Sequence, residues 1–185
     1  MGKHIRGSIF ADYVDMIRKN KSVDWSKHIS PGDLELTKQI ILPGSWYPLE
    51  VFSRLGEAIF REVGKGNLEA ARLWGRVSVD RLSKLYSIAV LVKGSPLKTL
   101  EKFKKISHLF FDFEGFEFTV RGDNHVSIKI SPEFGRLAAA AYTHQILGSF
   151  QRLVELAGAQ GVKAEFSAKS WEGRPQTVIE LSWQA

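Results

Sequence analysis

Five histidines are the imidazoles of this chain, and no cysteine accompanies them. His4, His28, His108, His125 and His144 form neither an HExxH pattern nor an i, i+4 pair, the spacings that turn two side chains toward one ion. His108, near the end of an expected helix, and His144, inside a long one, are the two that an element could aim at a ligand. A core position or a helix C-terminus accounts for either more simply. The carboxylates that stand out, Glu50 before Arg54 and Glu57 before Arg61, have the i, i+4 spacing of exposed ion pairs, whereas acid-base catalysis needs a desolvated group in a cleft. Gly64-Lys65-Gly66 opens a helix, yet it lacks the GxxxxGK[ST] spacing and no third glycine completes GxGxxG. No GxSxG supplies a nucleophile elbow. The expectation is a binding or interaction module without metal or cofactor, and not an enzyme.

What remains to recognise a partner is aromatic. The chain holds twelve Phe, five Trp and four Tyr, and several fall at junctions between expected elements. Trp46 and Tyr47 stand between Pro43 and Pro48 at the entrance of the most clearly amphipathic helix. The prolines fix their own φ and push Leu42 and Tyr47 into extended conformations, with Pro48 suited to a first helical turn. Trp25 lies in a loop, Trp171 at the last turn, and Trp74 beside a stripe of small residues, Ala71, Gly75 and Ser78, that admits a close neighbour. Trp46, Tyr47, Phe52, Trp74, Gly75, His108 and His144 are the candidate ligand or interface residues. Two readings compete: ordinary core and hinge packing, or an apolar pocket or dimer face between the Trp46 helix and a sheet. The small-residue stripe and the broad apolar face of Phe52, Leu55, Ile59 and Phe60 together predict a two-fold homodimer built mainly from the N-terminal helices, with packing inside the chain as the equal alternative.

Helical spacing runs through the first 110 residues. Ser8 to Arg18 places Ile9, Phe10, Tyr13, Val14 and Ile17 on one side, and a shorter helix is expected within Leu34 to Ile41. Pro48 to Val63 places Phe52, Leu55, Ile59, Phe60 and Val63 on one face. Asn67 can cap a helix reaching about Val92, apolar nearly all round from Leu85, and Ser95-Pro96 starts another reaching about Leu109. The period then changes to two. Phe111, Phe113, Phe116, Phe118 and Val120 read as a strand bent at Glu114-Gly115, and Val126, Ile128 and Ile130 as its return. Ser131-Pro132 begins a helix from Glu133 to about Ala157. Val162 to Ala168 and Thr177 to Trp183 alternate as a second hairpin. The reading is α+β: one domain over 1–185, mainly helical to 110, with N-terminal helices packed on a four-stranded antiparallel sheet built from two hairpins flanking a long helix.

The charge of +6 raises nucleic acid as a partner, but acidic and basic residues alternate. The densest cationic group, Lys98, Lys102, Lys104 and Lys105, surrounds Glu101 on a helix with its own apolar side. A solvated helix face is favoured over a nucleic-acid surface. No run approaches the roughly 18 apolar residues of a membrane span, and the opening residues lack the apolar core of a signal peptide. With no cysteine, a reducing cytoplasm is the expected setting.

The early Arg6-Gly7-Ser8-Ile9-Phe10, the Ser45-Trp46-Tyr47-Pro48 junction, the Gly75-Arg76 helix and the Ser95-Pro96 helix start resemble a family of roughly 200-residue proteins expanded in myxobacteria. That family is distantly similar to the superfamily of haem nitric-oxide-binding domains, 4-vinyl-reductase domains and trafficking-complex subunits of the Golgi. The resemblance implies a fold that encloses haem, holds small apolar molecules or acyl chains, or serves as an assembly surface. Haem binders of that superfamily carry a Tyr-x-Ser-x-Arg motif for the propionates, where this chain reads Val126-Ser127-Ile128-Lys129-Ile130-Ser131. The vinyl-reductase relatives often carry a cysteine-bearing cluster, and there is no cysteine here. The implied function is a non-catalytic sensor or adaptor that binds a small apolar ligand or a protein partner. An enzyme acting on a small apolar or tetrapyrrole-like substrate is the alternative, and nucleic-acid binding through basic charge a second one.

Overall fold

Spacings of three and four decide the first half of the chain, as the computed structural model shows for the residues it describes, 2–131 and 139–184, with side chains at all of these but 85–89 and 139. Helix α1 (Gly7–Lys19) buries Phe10, Tyr13, Val14 and Ile17. Helix α2 (Pro31–Lys38) is capped by Ser30, whose hydroxyl accepts the Asp33 N–H at 3.2 Å. In α3 (Leu49–Glu62) the stripe Phe52, Leu55 and Ile59 is sealed from solvent. Helix α4 (Leu68–Val90) begins where the Asn67 side chain accepts the Glu69 N–H at 2.9 Å, the cap expected of it. Helix α5 (Pro96–Ile106) runs into a 3-10 turn at Ser107–Leu109, and α6 (Ala139–Leu156) is the central helix of the second half. The expected helix start at Ser131-Pro132-Glu133 lies outside the described residues, as does the burial expected of residues 85–89.

Two three-residue strands were not anticipated. Strand β1 (His4–Arg6) pairs antiparallel with β2 (Trp46–Pro48), Ile5 opposite Tyr47. This changes the role of Pro48. It is the last residue of β2 and the N-cap of α3, extended at φ −61°, ψ 130°, so the first helical turn begins at Leu49. Arg6 clips the pair to the middle of the chain, donating to the Leu109 carbonyl at 2.8 Å and the Gly44 carbonyl at 2.7 Å, with its guanidinium 3.7 Å from the centre of the Trp46 ring. Another correction concerns Arg54. Its fork holds both oxygens of Asp33, at 2.6 and 2.9 Å, rather than Glu50 one turn away, because α2 brings that buried carboxylate alongside. The Glu57–Arg61 pair forms as its spacing predicts, at 3.0 Å.

The second half closes as expected, as an antiparallel sheet in the order β3-β4-β6-β5, from β3 (Phe116–Gly122), β4 (His125–Ile130), β5 (Gln160–Ala168) and β6 (Thr177–Gln184). The strand anticipated from Phe111 starts at Phe116; Phe111 instead forms an isolated bridge with Ile5, and the register shift falls between Val120 and Gly122. Val126, Ile128, Ile130, Ile179 and Leu181 form the buried side of the sheet. Helix α6 contacts β5 and β6, α4 and α5 lie against α6, and α1 and α3 complete the helical layer.

The α4–α6 contact is unusually close, and two glycines make it so. A Cβ on Gly75 would sit 1.8 Å from the Gln145 carbonyl oxygen, and one on Gly148 would sit 2.0 Å from that of Arg72. Each helix thus rests backbone to backbone on the other. Arg76 straddles Glu155 with two hydrogen bonds at 2.9 and 2.7 Å, and Arg152 reaches Asp80 at 2.7 Å, so ion pairs close the outer edge of the seam.

Candidate ligand-binding cavity

Where α4 and α6 separate beyond the glycine contact, the space between them is filled from α5 and from the segment entering the sheet. These side chains leave a cavity of about 120 Å³. Val79, Leu82 and Val90 come from α4, Phe103 from α5, Phe110 and Phe111 from the connection, Phe116 from β3, and Tyr142, Ile146, Phe150 and Leu153 from α6, with Ile9 of α1 at one end. Phe150 takes the edges of Phe103, Phe116 and Phe118, with centroids 5.4, 5.1 and 5.5 Å away and planes near perpendicular. This edge-to-face arrangement uses the ring quadrupole favourably and holds the wall in one geometry.

Polar side chains reach the lining from α4 and α6. Ser78, Ser83, Gln145 and Ser149 join the lining, and each is tied into the protein. Ser149 donates to the Gly75 and Gln145 carbonyls at 3.1 and 2.9 Å, Ser83 to the Asp80 carbonyl at 3.0 Å, and Ser78 to the Asp12 carboxylate. Burial raises the pKa of Asp12 despite hydrogen bonds from Ser78 and Arg81. Tyr13 donates to Gln145 Oε1 at 2.6 Å, and burial pushes its phenol and that of Tyr142 well above the ordinary tyrosine value. Both hydroxyls are therefore neutral at any physiological pH.

The residues singled out in the sequence are dispersed around this cavity. Gly75 lies beside it, at the α4–α6 contact, so the small-residue stripe is spent inside the chain: Ala71 is buried and Ser78 is bonded to Asp12. Phe52 is buried one layer away, stacked on Tyr13 at 4.1 Å and edge-on to Tyr142. Tyr47 stacks on Phe10 at 4.6 Å, and its hydroxyl accepts the Leu42 N–H at 3.0 Å. Trp46 is on the surface over Arg6, and Trp74 packs near Gly64. His108 is exposed. His144 turns away, its Nδ1 2.7 Å from the Ala140 carbonyl and its ring against Phe166 and Trp171; burial lowers its pKa. The residues that build the cavity were missed, Gln145 above all. The signal was present in α6 as Tyr142, Gln145, Ile146, Ser149, Phe150 and Leu153, one helical face carrying a single amide.

No protein-family model and no curated relative matches the sequence. The backbone is more informative. An Fe(II) unliganded H-NOX mutant from K. algicida superposes with a TM-score of 0.68 at 12% identity, covering 98% of this chain and 97% of that one. This is the H-NOX fold. An H-NOX protein from S. oneidensis in the Fe(II)NO ligation state gives 0.67 at 11% identity, over 98% and 100% of the two chains. An oxygen-binding H-NOX domain related to soluble guanylate cyclases gives 0.65 at 11% identity, over 98% and 96%. The fold expected from the order of helices and hairpins is thus the fold observed.

The lining does not fit a haem. None of the five histidines is among the lining residues. His4 is held by Asp112 at 2.6 Å, His125 by Glu180 at 2.8 Å, and His28 lies 3.5 Å from Glu62. No Lys or Arg lines the cavity among the described residues to receive propionates. The volume is that of a single-ring guest, since a cavity of about 150 Å³ holds benzene.

Proposed function

We propose that this chain is a non-catalytic sensor or adaptor module that uses the H-NOX fold to hold a small apolar ligand in place of haem. The observation that carries this reading is the phenylalanine-walled cavity itself. It occupies the junction of four helices and the sheet, so the presence of a guest would be felt by α4, α5 and α6 together. Structural neighbours include an H-NOX protein in its Fe(II)NO ligation state and an oxygen-binding H-NOX domain in its oxygen complex, which supports a ligand-responsive role for the fold. The donor set of this chain supports a guest other than haem. A signalling partner would then read the occupied state from the helical layer.

Native mass spectrometry of protein purified from its own cells, with an absorbance spectrum of the same sample, tests the proposal. The expected result is a bound mass of one small organic molecule and no Soret band. A Soret band would refute the haem-free reading, with His108 and His144 the first residues to replace in finding its ligand. A protein that is empty, and whose melting temperature no small hydrophobic compound raises, would refute the ligand reading.

A further inference from the structure

The choice of ligand follows from one side chain, and the inference rests on the reading of the cavity as a ligand site. Gln145 is only 8% exposed. Its Oε1 accepts the Tyr13 hydroxyl at 2.6 Å, which fixes which end of the amide faces α1. Its Nε2 meets no acceptor among the described residues. The lining serines have already committed their hydrogens, to backbone carbonyls from Ser83 and Ser149 and to a carboxylate from Ser78. An amide N–H pair that has no protein acceptor among the described residues, on a residue lining an apolar cavity, gains a hydrogen bond when a guest accepts from it.

Charge narrows the class further. No ionisable side chain other than Tyr142 lines the cavity among the described residues, and that phenol is neutral. A carboxylate or ammonium on the guest would enter unpaired. We propose that the cavity selects an uncharged molecule about one ring in size, with an apolar body against Phe103, Phe116 and Phe150 and a single hydrogen-bond acceptor, such as a ketone or ether oxygen or a nitrile nitrogen, placed on Gln145 Nε2. Tyr13 is the positioning residue: it holds the amide so that nitrogen, not oxygen, is presented.

The test uses two probes of the same shape, benzonitrile, which accepts a hydrogen bond, and phenylacetylene, which does not accept one in that position. Affinities for the full chain are measured by calorimetric titration for wild type, Gln145→Met and Tyr13→Phe, with thermal unfolding of each variant as the check on folding. Wild type is expected to favour benzonitrile by about tenfold, the worth of one net hydrogen bond. Gln145→Met should bind the two probes alike while keeping its affinity for phenylacetylene. Tyr13→Phe should shrink the preference, because the freed amide can turn, and it reads the same contact if the methionine variant does not fold. A preference that survives Gln145→Met, or a wild type that favours phenylacetylene, would overturn the assignment of Gln145 as donor while leaving the cavity a ligand site. Failure of both probes to bind wild type would overturn the ligand reading and this inference with it.

Discussion

Replacing Gly75 by Ala is the most demanding single test of this architecture, because two effects of opposite sign are involved and the structure says which is larger. In an isolated helix the change is favourable by about 1 kcal/mol. In the folded chain the new methyl carbon would lie 1.8 Å from the Gln145 carbonyl oxygen and 2.7 Å from its carbon, both backbone atoms of α6 that no rotamer can move. Restoring an ordinary C···O contact of about 3.3 Å requires the helices to part by about 1.5 Å. Overpacking of this kind costs about 1–3 kcal/mol and occasionally more, and here the displaced backbone also carries the Arg76–Glu155 and Arg152–Asp80 pairs. We expect a net loss of about 2 kcal/mol, or roughly 4–8 °C in melting temperature for a chain of this size. Gly148→Ala should cost a similar amount, and the double variant less than the sum, since the helices need part only once. Thermal and urea unfolding followed by circular dichroism measure it. Gly32→Ala in α2, where an added Cβ meets nothing within 4 Å, is the control and should be neutral or slightly stabilising. If Gly75→Ala behaves like Gly32→Ala, the backbone contact is absent and the geometry of the cavity built beside it is wrong.

Phe103→Ala removes the ring at the centre of the wall. It should destabilise by about 3 kcal/mol, the lower end for a phenylalanine that is partly exposed, and should let the cavity accept two-ring guests that wild type refuses, read as thermal shifts with naphthalene. Arg6→Lys keeps the charge but loses the planar fork over Trp46, so a loss of about 1 kcal/mol and a rise in Trp46 fluorescence quenching by iodide are expected. Arg54→Met isolates an acid-dependent term. The hydrogen bonds from Arg54 hold the Asp33 carboxyl below its usual value despite some burial. Because the folded-state pKa is depressed, the stabilisation is present above the unfolded value near 3.9 and is lost as pH falls through the folded one. The gap between wild type and variant, no more than about 1 kcal/mol at neutral pH for so exposed an arginine, should therefore narrow as pH falls below the ordinary carboxylate range; a gap that stays constant or widens in acid would contradict the assignment.

The elements that carry a long apolar period were legible in the sequence. Phe52, Leu55 and Ile59 announce α3 on their own, and the alternation of Val126, Ile128 and Ile130 announces a half-buried strand, because local periodicity and tertiary burial agree there. The β1–β2 pair was not legible, since three residues a side are too few to show a period. The Arg54 partner was missed for a related reason: spacing favours Glu50, and only the approach of α2 makes Asp33 the better acceptor. The cavity was the hardest to foresee. Its wall draws Ile9, Phe103, Phe116 and Phe150 from four elements, and no local pattern tells a phenylalanine that fills a core from one that borders a void. Trp46 and Trp74 have the size that suggests a pocket, but their positions put one on the surface and one in packing.

The strap at the N-terminus bears on the order in which the molecule assembles. His4 bonds to Asp112, Ile5 bridges to Phe111 and Arg6 reaches Leu109, all across more than a hundred residues of chain. None of these contacts can exist while the ribosome still holds residue 112, so β1 waits unpaired on that side through the synthesis of α1 to α5. Closures of such long loops come late and slow the whole reaction. Phe110 and Phe111, which border the cavity, are neighbours of these same anchor points. Pairing of the N-terminal strap therefore also fixes two of the rings that wall the cavity, Phe110 and Phe111, so that wall is completed only when the first residues have found the middle of the chain.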